Sequence, residues 1–147
     1  MTQFIFPDGV KMMLRTLNDA GFDAYAVGGC TRDMLLGRKP GDWDITTSAM
    51  PDEVAALFET VIPTGLRHGT VTVKSSGVSA EVTTFRTEGA YTDRRHPDSV
   101  DFVRDVHGDL ARRDFTMNAI AVPLSGEIID PFGGRDDIAR RTIRCVG

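Results

Sequence analysis

The 147-residue sequence has few cysteines and no long apolar run, and both absences restrict what the protein can be. No apolar run approaches the ~18 residues needed to span a bilayer, so we expect no membrane association. Residues 1–6 lack the basic start and cleavable apolar stretch of a signal peptide, which favours a cytoplasmic location. The two cysteines, Cys30 and Cys145, form no metal-ligand pattern, and we expect both to be reduced and structural.

Lysine is also scarce, since all but three of the 17 basic residues are arginine. The net charge of −4 argues against tight nucleic-acid binding through bulk charge alone. Several arginines nevertheless cluster between Arg86 and Arg113, and the planar guanidinium group suits bidentate phosphate binding. A compositional bias of the genome explains the excess of arginine equally well. An apolar content of 41% and one domain's length indicate a single globular domain.

Periodicity and turn residues predict alternating helices and strands. The predicted helices cover 7–20 (ended by Gly21), 32–36 (ended by Gly37), 51–58, 109–113 and a segment after Gly134. The predicted strands cover 23–27, 42–46, the hairpin 70–74 and 80–85, the hairpin 119–123 and 128–129, and 142–146. Residues 86–99 have no consistent period and are predicted to form a long surface loop. We expect an α/β protein of the α+β kind, a mixed sheet with helices mainly on one side and the site at one strand edge.

A glycine pair, Gly28-Gly29, lies between a predicted strand and a predicted helix and is followed by Arg32-Asp33. Bare backbone amides at such a turn can receive an anion, and an arginine can clamp it. The bland alternative is that the glycines serve backbone geometry and that Arg32 and Asp33 form an internal ion pair. The interpretation as an anion site is favoured only because Asp42 and Asp44 follow closely in the sequence.

Asp42 and Asp44 stand one residue apart on a predicted strand, so their side chains should share one face while Trp43 turns into the core. Alone, such a pair is more often a capping or loop feature. Glu81 lies in the apolar run 78–85, where its default role is a solvent-facing position. If its strand pairs beside 42–46, three carboxylates meet, and such a set can hold the two cations of a nucleotidyl transfer site.

The segment Arg112-Arg113-Asp114-Phe115-Thr116-Met117-Asn118-Ala119 is the second dense group of polar residues. Two consecutive arginines on a helix point in different directions, so at most one of them is expected to face the acids. Asp114 and Asn118 can each bond a ribose hydroxyl, but they can equally cap a helix.

These motifs, together with Asp130-Pro131-Phe132-Gly133-Gly134, resemble in order the head-domain motifs of the class II tRNA nucleotidyltransferases. That family comprises the CCA-adding enzymes and bacterial poly(A) polymerases and has the polymerase β-like nucleotidyltransferase fold. The resemblance implies that Asp42, Asp44 and Glu81 are catalytic and bind Mg²⁺. It further implies nucleotide-binding roles for the residues of the two dense motifs: Gly28, Gly29, Arg32, Asp33, Arg113, Asp114 and Asn118.

The resemblance also implies the reaction and its partners: CMP and AMP transfer from CTP and ATP to the 3′ end of tRNA, with no obligate protein partner. It leaves the RNA-contacting residues unassigned, and it suggests a structural turn at His68-Gly69-Thr70. The sequence departs from the family by stopping at Gly147, so we expect residues 1–147 to be a catalytic head with neck, body and tail absent.

Two alternatives remain at this point. A bacterial poly(A) polymerase or an enzyme adding part of CCA would share these motifs. A nucleotide- or RNA-binding module without turnover is the alternative from another functional class.

Overall fold

The computed structural model of the chain describes residues 6–65, 69–88, 100–102 and 105–146. The helices are α1 (Asp8–Asp19), α2 (Gly29–Leu35), α3 (Pro51–Leu57), α4 (Val106–Ala111) and α5 (Gly134–Ala139), with one 3-10 turn at Thr116–Asn118. The strands are β1 (Ala24–Val27), β2 (Trp43–Thr47), β3 (Thr60–Gly65), β4 (Thr70–Ser75), β5 (Val78–Thr84), β6 (Arg86–Glu88), β7 (Val100–Phe102) and β8 (Ala121–Val122).

Six of these strands form one mixed sheet in the order β3-β4-β5-β2-β1-β8. The β2–β5 pair is parallel, whereas every other pair in that sheet is antiparallel. The sheet therefore joins two antiparallel groups of strands, β3-β4-β5 and β2-β1-β8, along one parallel seam. The mixed sheet confirms the predicted fold class.

The larger core lies on one face of the sheet, where α1 presents the apolar stripe that its periodicity predicts. Val10, Met13, Leu14 and Leu17 of α1 are fully buried in this core. Trp43 and Ile45 of β2 face the same core, and the Trp43 ring meets Phe6 edge-on with centroids 6.0 Å apart. A smaller cluster that includes Val27, Phe85 and Leu110 covers part of the opposite face.

Most predicted elements are confirmed, including the 7–20 helix with Gly21 at a φ of 92° and the hairpin that turns at Ser76-Gly77. Several boundaries were wrong. β2 begins at Trp43, so Asp42 lies in the bend before the strand. Helix α2 begins at Gly29, three residues before the predicted start, because the glycine pair opens the helix.

Further differences concern the second half of the chain. Residues 86–88 form a strand paired with β7, and 89–99 of the predicted loop lie outside the described residues, as does His68. Helix α4 starts at Val106, capped by the Asp105 carboxylate, which accepts the His107 N–H. The predicted hairpin of 119–123 and 128–129 is reduced to the short strand β8 with a bridge to Ile129. The predicted strand 142–146 is reduced to a single bridge between Phe115 and Cys145.

Both cysteines are free, as predicted, but they differ in environment. Cys30 is buried, and its thiol lies 3.0 Å from the Val27 carbonyl oxygen. Burial raises the pKa of Cys30 to about 11, so the thiolate is disfavoured and a packing role follows. Cys145 is exposed, and its contribution to the fold is its backbone bridge to Phe115.

Candidate active site

The site begins at the parallel seam, where β2 and β5 run side by side. Asp44 pairs with Glu81 across this seam and with Val27 on its other side. Residues in register on neighbouring strands point to the same face, and this face is opposite to that of Trp43 and Ile45. The condition set by the sequence is therefore met, since the strand of Glu81 does pair beside that of Asp44.

The three candidate carboxylates differ in exposure. Asp44 is half-buried, whereas Asp42 and Glu81 are exposed. The pKa of Asp44 is raised, and burial is the largest cause. The positive charge of Arg113 lowers this pKa, whereas the negative charges of Glu81 and Asp42 raise it. Two neighbouring negative charges thus act on Asp44, because Glu81 and Asp42 lie near it.

The carboxylates are neighbours without being an assembled ligand set. In the described parts of the chain, no group of three or more His, Cys, Asp or Glu side chains comes close enough together to hold a metal ion. Neighbouring carboxylates that repel one another nevertheless suit a hard divalent cation, because magnesium takes few protein ligands and completes its shell with water and phosphate. The residues present therefore fit such a cation in type, and Asp44 and Glu81 lie in register on adjacent strands.

The glycine turn lies beside Asp44. Gly28 has φ 76° and ψ −141°, a conformation that side chains rarely adopt, which explains a glycine here. A Cβ built on Gly28 would lie 3.6 Å both from Nη1 of Arg113 and from Oδ2 of Asp44. The turn, the acid and the arginine predicted from separate motifs therefore meet at one place.

Thr31 holds the glycine turn in position. Its hydroxyl is buried, within hydrogen-bond distance of the carbonyl oxygens of Gly28 (2.8 Å) and Ile120 (3.2 Å). This contact ties the turn to the segment that follows the second motif. The sequence pattern does not single out Thr31, because a threonine inside a helix carries no signal of a long-range contact.

Arg32 and Asp33 form an ion pair, with Nη2 of Arg32 3.3 Å from Oδ1 of Asp33. This is the structural role that the sequence left open as the alternative to anion binding. Arg32 also donates from Nη1 to Oδ1 of Asn118 at 3.2 Å, which joins the two predicted motifs. The Arg32 side chain keeps 33% exposure, so the fixed guanidinium still faces solvent. Asp114 is exposed, and its Oδ1 accepts the backbone N–H of Phe115, a local contact like the alternative considered above.

Of the two consecutive arginines, Arg113 is the one beside the glycine turn. Both donate to Asp109, a buried carboxylate that the sequence reasoning missed. The spacing of Asp109 three and four residues before the arginines is the signal that could have found it, since such residues are neighbours on a helix.

The sequence matches the family described as the Poly A polymerase head domain over residues 24–144. The chain belongs to that family. The resemblance to class II tRNA nucleotidyltransferases stated from the motifs is thereby confirmed. Among the described residues of this head domain, no helix is long and apolar enough to cross a membrane.

Curated relatives of this head domain are named CCA-adding enzymes. The chain is 58% identical over 135 residues to a CCA-adding enzyme of Geobacillus thermodenitrificans, covering 92% of this chain and 33% of the relative. It is 57% identical over 135 residues to a CCA-adding enzyme of Geobacillus stearothermophilus, with the same coverage of both chains. The chain thus spans about a third of the length of the curated relatives it matches.

Solved structures agree with this assignment. The fold superposes on the Bacillus stearothermophilus CCA-adding enzyme in complex with CTP with a TM-score of 0.88 and 50% identity, over 97% of this chain and 34% of that one. It also resembles the Thermotoga maritima CCA-adding enzyme complexed with tRNA, with a TM-score of 0.71 and 26% identity over 93% of this chain and 32% of that one.

Proposed function

We propose that this chain is the catalytic head of a tRNA nucleotidyltransferase that adds CMP and AMP, from CTP and ATP, to the 3′ end of tRNA. The observation that carries the proposal is the meeting of Asp44, Glu81, Gly28 and Arg113 on one face of the sheet, where β2 pairs with β5. The names of the relatives support the choice of tRNA and of CTP. We place the reaction in the cytoplasm, as expected from the sequence.

In this proposal the 3′ hydroxyl oxygen of the RNA forms a bond to the α-phosphorus of the nucleotide. The bond from that phosphorus to the bridging oxygen breaks, pyrophosphate leaves, and the proton of the 3′ hydroxyl passes to solvent. Asp42, Asp44 and Glu81 are proposed to hold Mg²⁺. When bound, divalent ions supply Lewis acidity that lowers the pKa of an attacking hydroxyl and neutralises the leaving group.

The remaining roles belong to positive charge and to the backbone. Gly28 and Gly29 let the backbone approach the triphosphate, because no Cβ stands between the turn and Asp44. Arg32, held by Asp33 and Asn118, and Arg113, held by Asp109, are proposed to contact phosphate oxygens as fixed charges. Asp114 and Asn118 are proposed to favour ribose over deoxyribose.

The test joins this chain to the neck and body of the Geobacillus stearothermophilus relative and measures incorporation of labelled CTP and ATP into tRNA that lacks its terminal triplet. We expect Asp44→Asn with Asp42→Asn to lower the rate by about 100-fold or more, the scale of losing a major electrostatic contribution. Asp52→Asn, at an exposed acid in the first turn of α3, is the matched control and should keep the parent rate.

Parent-like incorporation by the doubly substituted protein would show that these acids are not the reaction centre. Product length distinguishes the alternatives within the family, because a poly(A) polymerase would extend the tRNA with many adenylates. Binding of CTP with Mg²⁺ without release of pyrophosphate would identify a binding module and contradict the proposal.

A further inference from the structure

Asp109 lies inside the protein, yet its carboxylate touches strand β6 and the two arginines that follow its own helix. The residue is 0% exposed. Its Oδ1 accepts the backbone N–H of Arg86 at 3.2 Å and Nε of Arg112 at 3.4 Å, while its Oδ2 accepts Nη2 of Arg113 at 3.2 Å. A buried carboxylate is tolerated only when paired and hydrogen-bonded in this way. Asp109 therefore connects α4 with the first residue of β6 and with the arginine of the candidate site.

Arg113 presents two ends to two different carboxylates. Its Nη2 end bonds Asp109, and its Nη1 end approaches the position that a Cβ of Gly28 would occupy, next to Asp44. Its Nε is buried and has no hydrogen-bond partner among the described residues. With 16% of the side chain exposed, the guanidinium has little room to turn.

We propose that Asp109 is a positioning residue, which holds Arg113 so that its Nη1 end faces the glycine turn and remains available to a polyphosphate. This inference rests on the function proposed above. Opposite charges attract strongly in a partly buried site, so without the charge of Asp109 the guanidinium is drawn to Asp44, the nearby carboxylate. Arg113 would then neutralise the acid proposed to hold the cation, and nucleotide binding would weaken for two reasons.

A merely structural Asp109 would behave differently. It would join α4 to β6 and support the fold, but its loss would weaken ligand binding equally whether or not Arg113 is present. A double-mutant cycle separates these roles, because coupling between two residues appears as non-additivity.

The experiment measures the Kd of CTP with Mg²⁺, by calorimetric titration of this chain, for the parent, Asp109→Asn, Arg113→Ala and the double variant. We expect Asp109→Asn to raise the Kd by about tenfold or more in the parent. This is the scale found when a residue that hydrogen-bonds to a ligand-binding side chain, and so orients it, is replaced. In the Arg113→Ala background the same substitution should change the Kd less than about twofold, since the group it positions is gone. The urea midpoint should fall in both backgrounds.

Asp105→Asn is the matched control, because this acid caps the same helix but is exposed. It should lower stability slightly and leave the Kd unchanged. An equal rise of the Kd on Asp109→Asn in both backgrounds would overturn the positioning role. If Arg113→Ala itself leaves the Kd unchanged, the nucleotide role of Arg113 in the proposed function is wrong.

Should Asp109→Asn fail to fold, Asp109→Glu enters the same cycle. It keeps the charge inside the protein but moves the carboxylate by one methylene. We then expect a raised Kd that depends on the presence of Arg113, and independence from Arg113 again overturns the inference.

Discussion

Single carboxylates in this head domain illustrate how environment sets chemistry. Asp109 is fully buried, yet it accepts three hydrogen bonds. Asp44 is half-buried, and burial together with two neighbouring acids raises its pKa. A carboxylate whose hydrogen bonds are all made within the protein suits a positioning role. A carboxylate whose negative charge is repelled by neighbouring acids suits cation binding.

Asp137 gives a prediction at the scale of one residue. Its Oδ2 accepts hydrogen bonds from the Thr116 hydroxyl and, at 3.0 Å, from Nε of Arg144, and these contacts lower the pKa of Asp137. A lowered pKa in the folded state stabilises the fold above the unfolded pKa of about 3.9. That contribution is lost as the pH falls through the lower pKa of the folded state.

We therefore expect Asp137→Asn to lower the urea midpoint at pH 7, and the gap from the parent to close as the pH falls below about 4. Urea unfolding at pH 7 and at pH 3 measures both. Asp136→Asn, at the exposed neighbouring acid, is the control and should show a smaller gap at pH 7. A gap that persists unchanged at pH 3 would contradict the assigned role.

At the scale of elements, helix α1 packs so closely on the β4–β5 turn that Gly9 leaves no room for a side chain. A Cβ there would overlap the Ser75 carbonyl oxygen and lie 2.9 Å from Cβ of Val78. Alanine favours a helix over glycine by about 0.5–1 kcal/mol, but overpacking costs about 1–3 kcal/mol. The steric cost should exceed the gain in helix propensity.

Gly9→Ala is therefore expected to lower the free energy of unfolding by about 0.5–2 kcal/mol, which is the cost of overpacking less the gain in helix propensity. Urea denaturation measures it. Gly41→Ala is the control, since nothing lies within 4 Å of a Cβ at that position, and it should leave the unfolding free energy nearly unchanged. Equal stabilities of the two variants would show that α1 can move away from the turn.

Local patterns predicted the elements well where one physical signal dominates. The apolar spacing of α1 and the Ser76-Gly77 turn each have such a signal, and both predictions are confirmed. The start of β2 could not be read in the same way, because alternation alone does not show where strand pairing begins. Likewise, the strand at 86–88 exists through pairing with distant residues 100–102, which no local pattern reveals.

The site was predictable in its chemistry more than in its contacts. Acids, glycines and arginines can be recognised as candidate site residues by their type alone. The sequence also made the site depend on the strand of Glu81 pairing beside that of Asp44, and the two residues do pair. Thr31 was missed because its role depends on a partner distant in sequence, Ile120, and the same holds for the contact of Asp109 with Arg86, although the spacing of Asp109 from Arg112 and Arg113 was visible in the sequence. Such contacts follow from topology, which the residue pattern does not specify.

At the scale of the whole molecule, the larger core includes residues from both antiparallel groups of strands. Trp43 and Ile45 of β2 share it with Val71 and Val82 of β4 and β5. We therefore expect the head domain to unfold as one cooperative unit. Fluorescence of Trp43, the single tryptophan, and far-UV circular dichroism should give the same urea midpoint. Separate midpoints would show that one group of strands unfolds independently.

The parallel pairing of β2 with β5 has a consequence for how the sequence can vary. Because side chains alternate along a strand, a slip of one position in this pairing would carry Glu81 to the packed face and bring Ala80 or Val82 beside Asp44. A single-residue insertion within β5 would thus be tolerated far less than one in an exposed turn, since it would exchange a charged position with an apolar one along the rest of the strand.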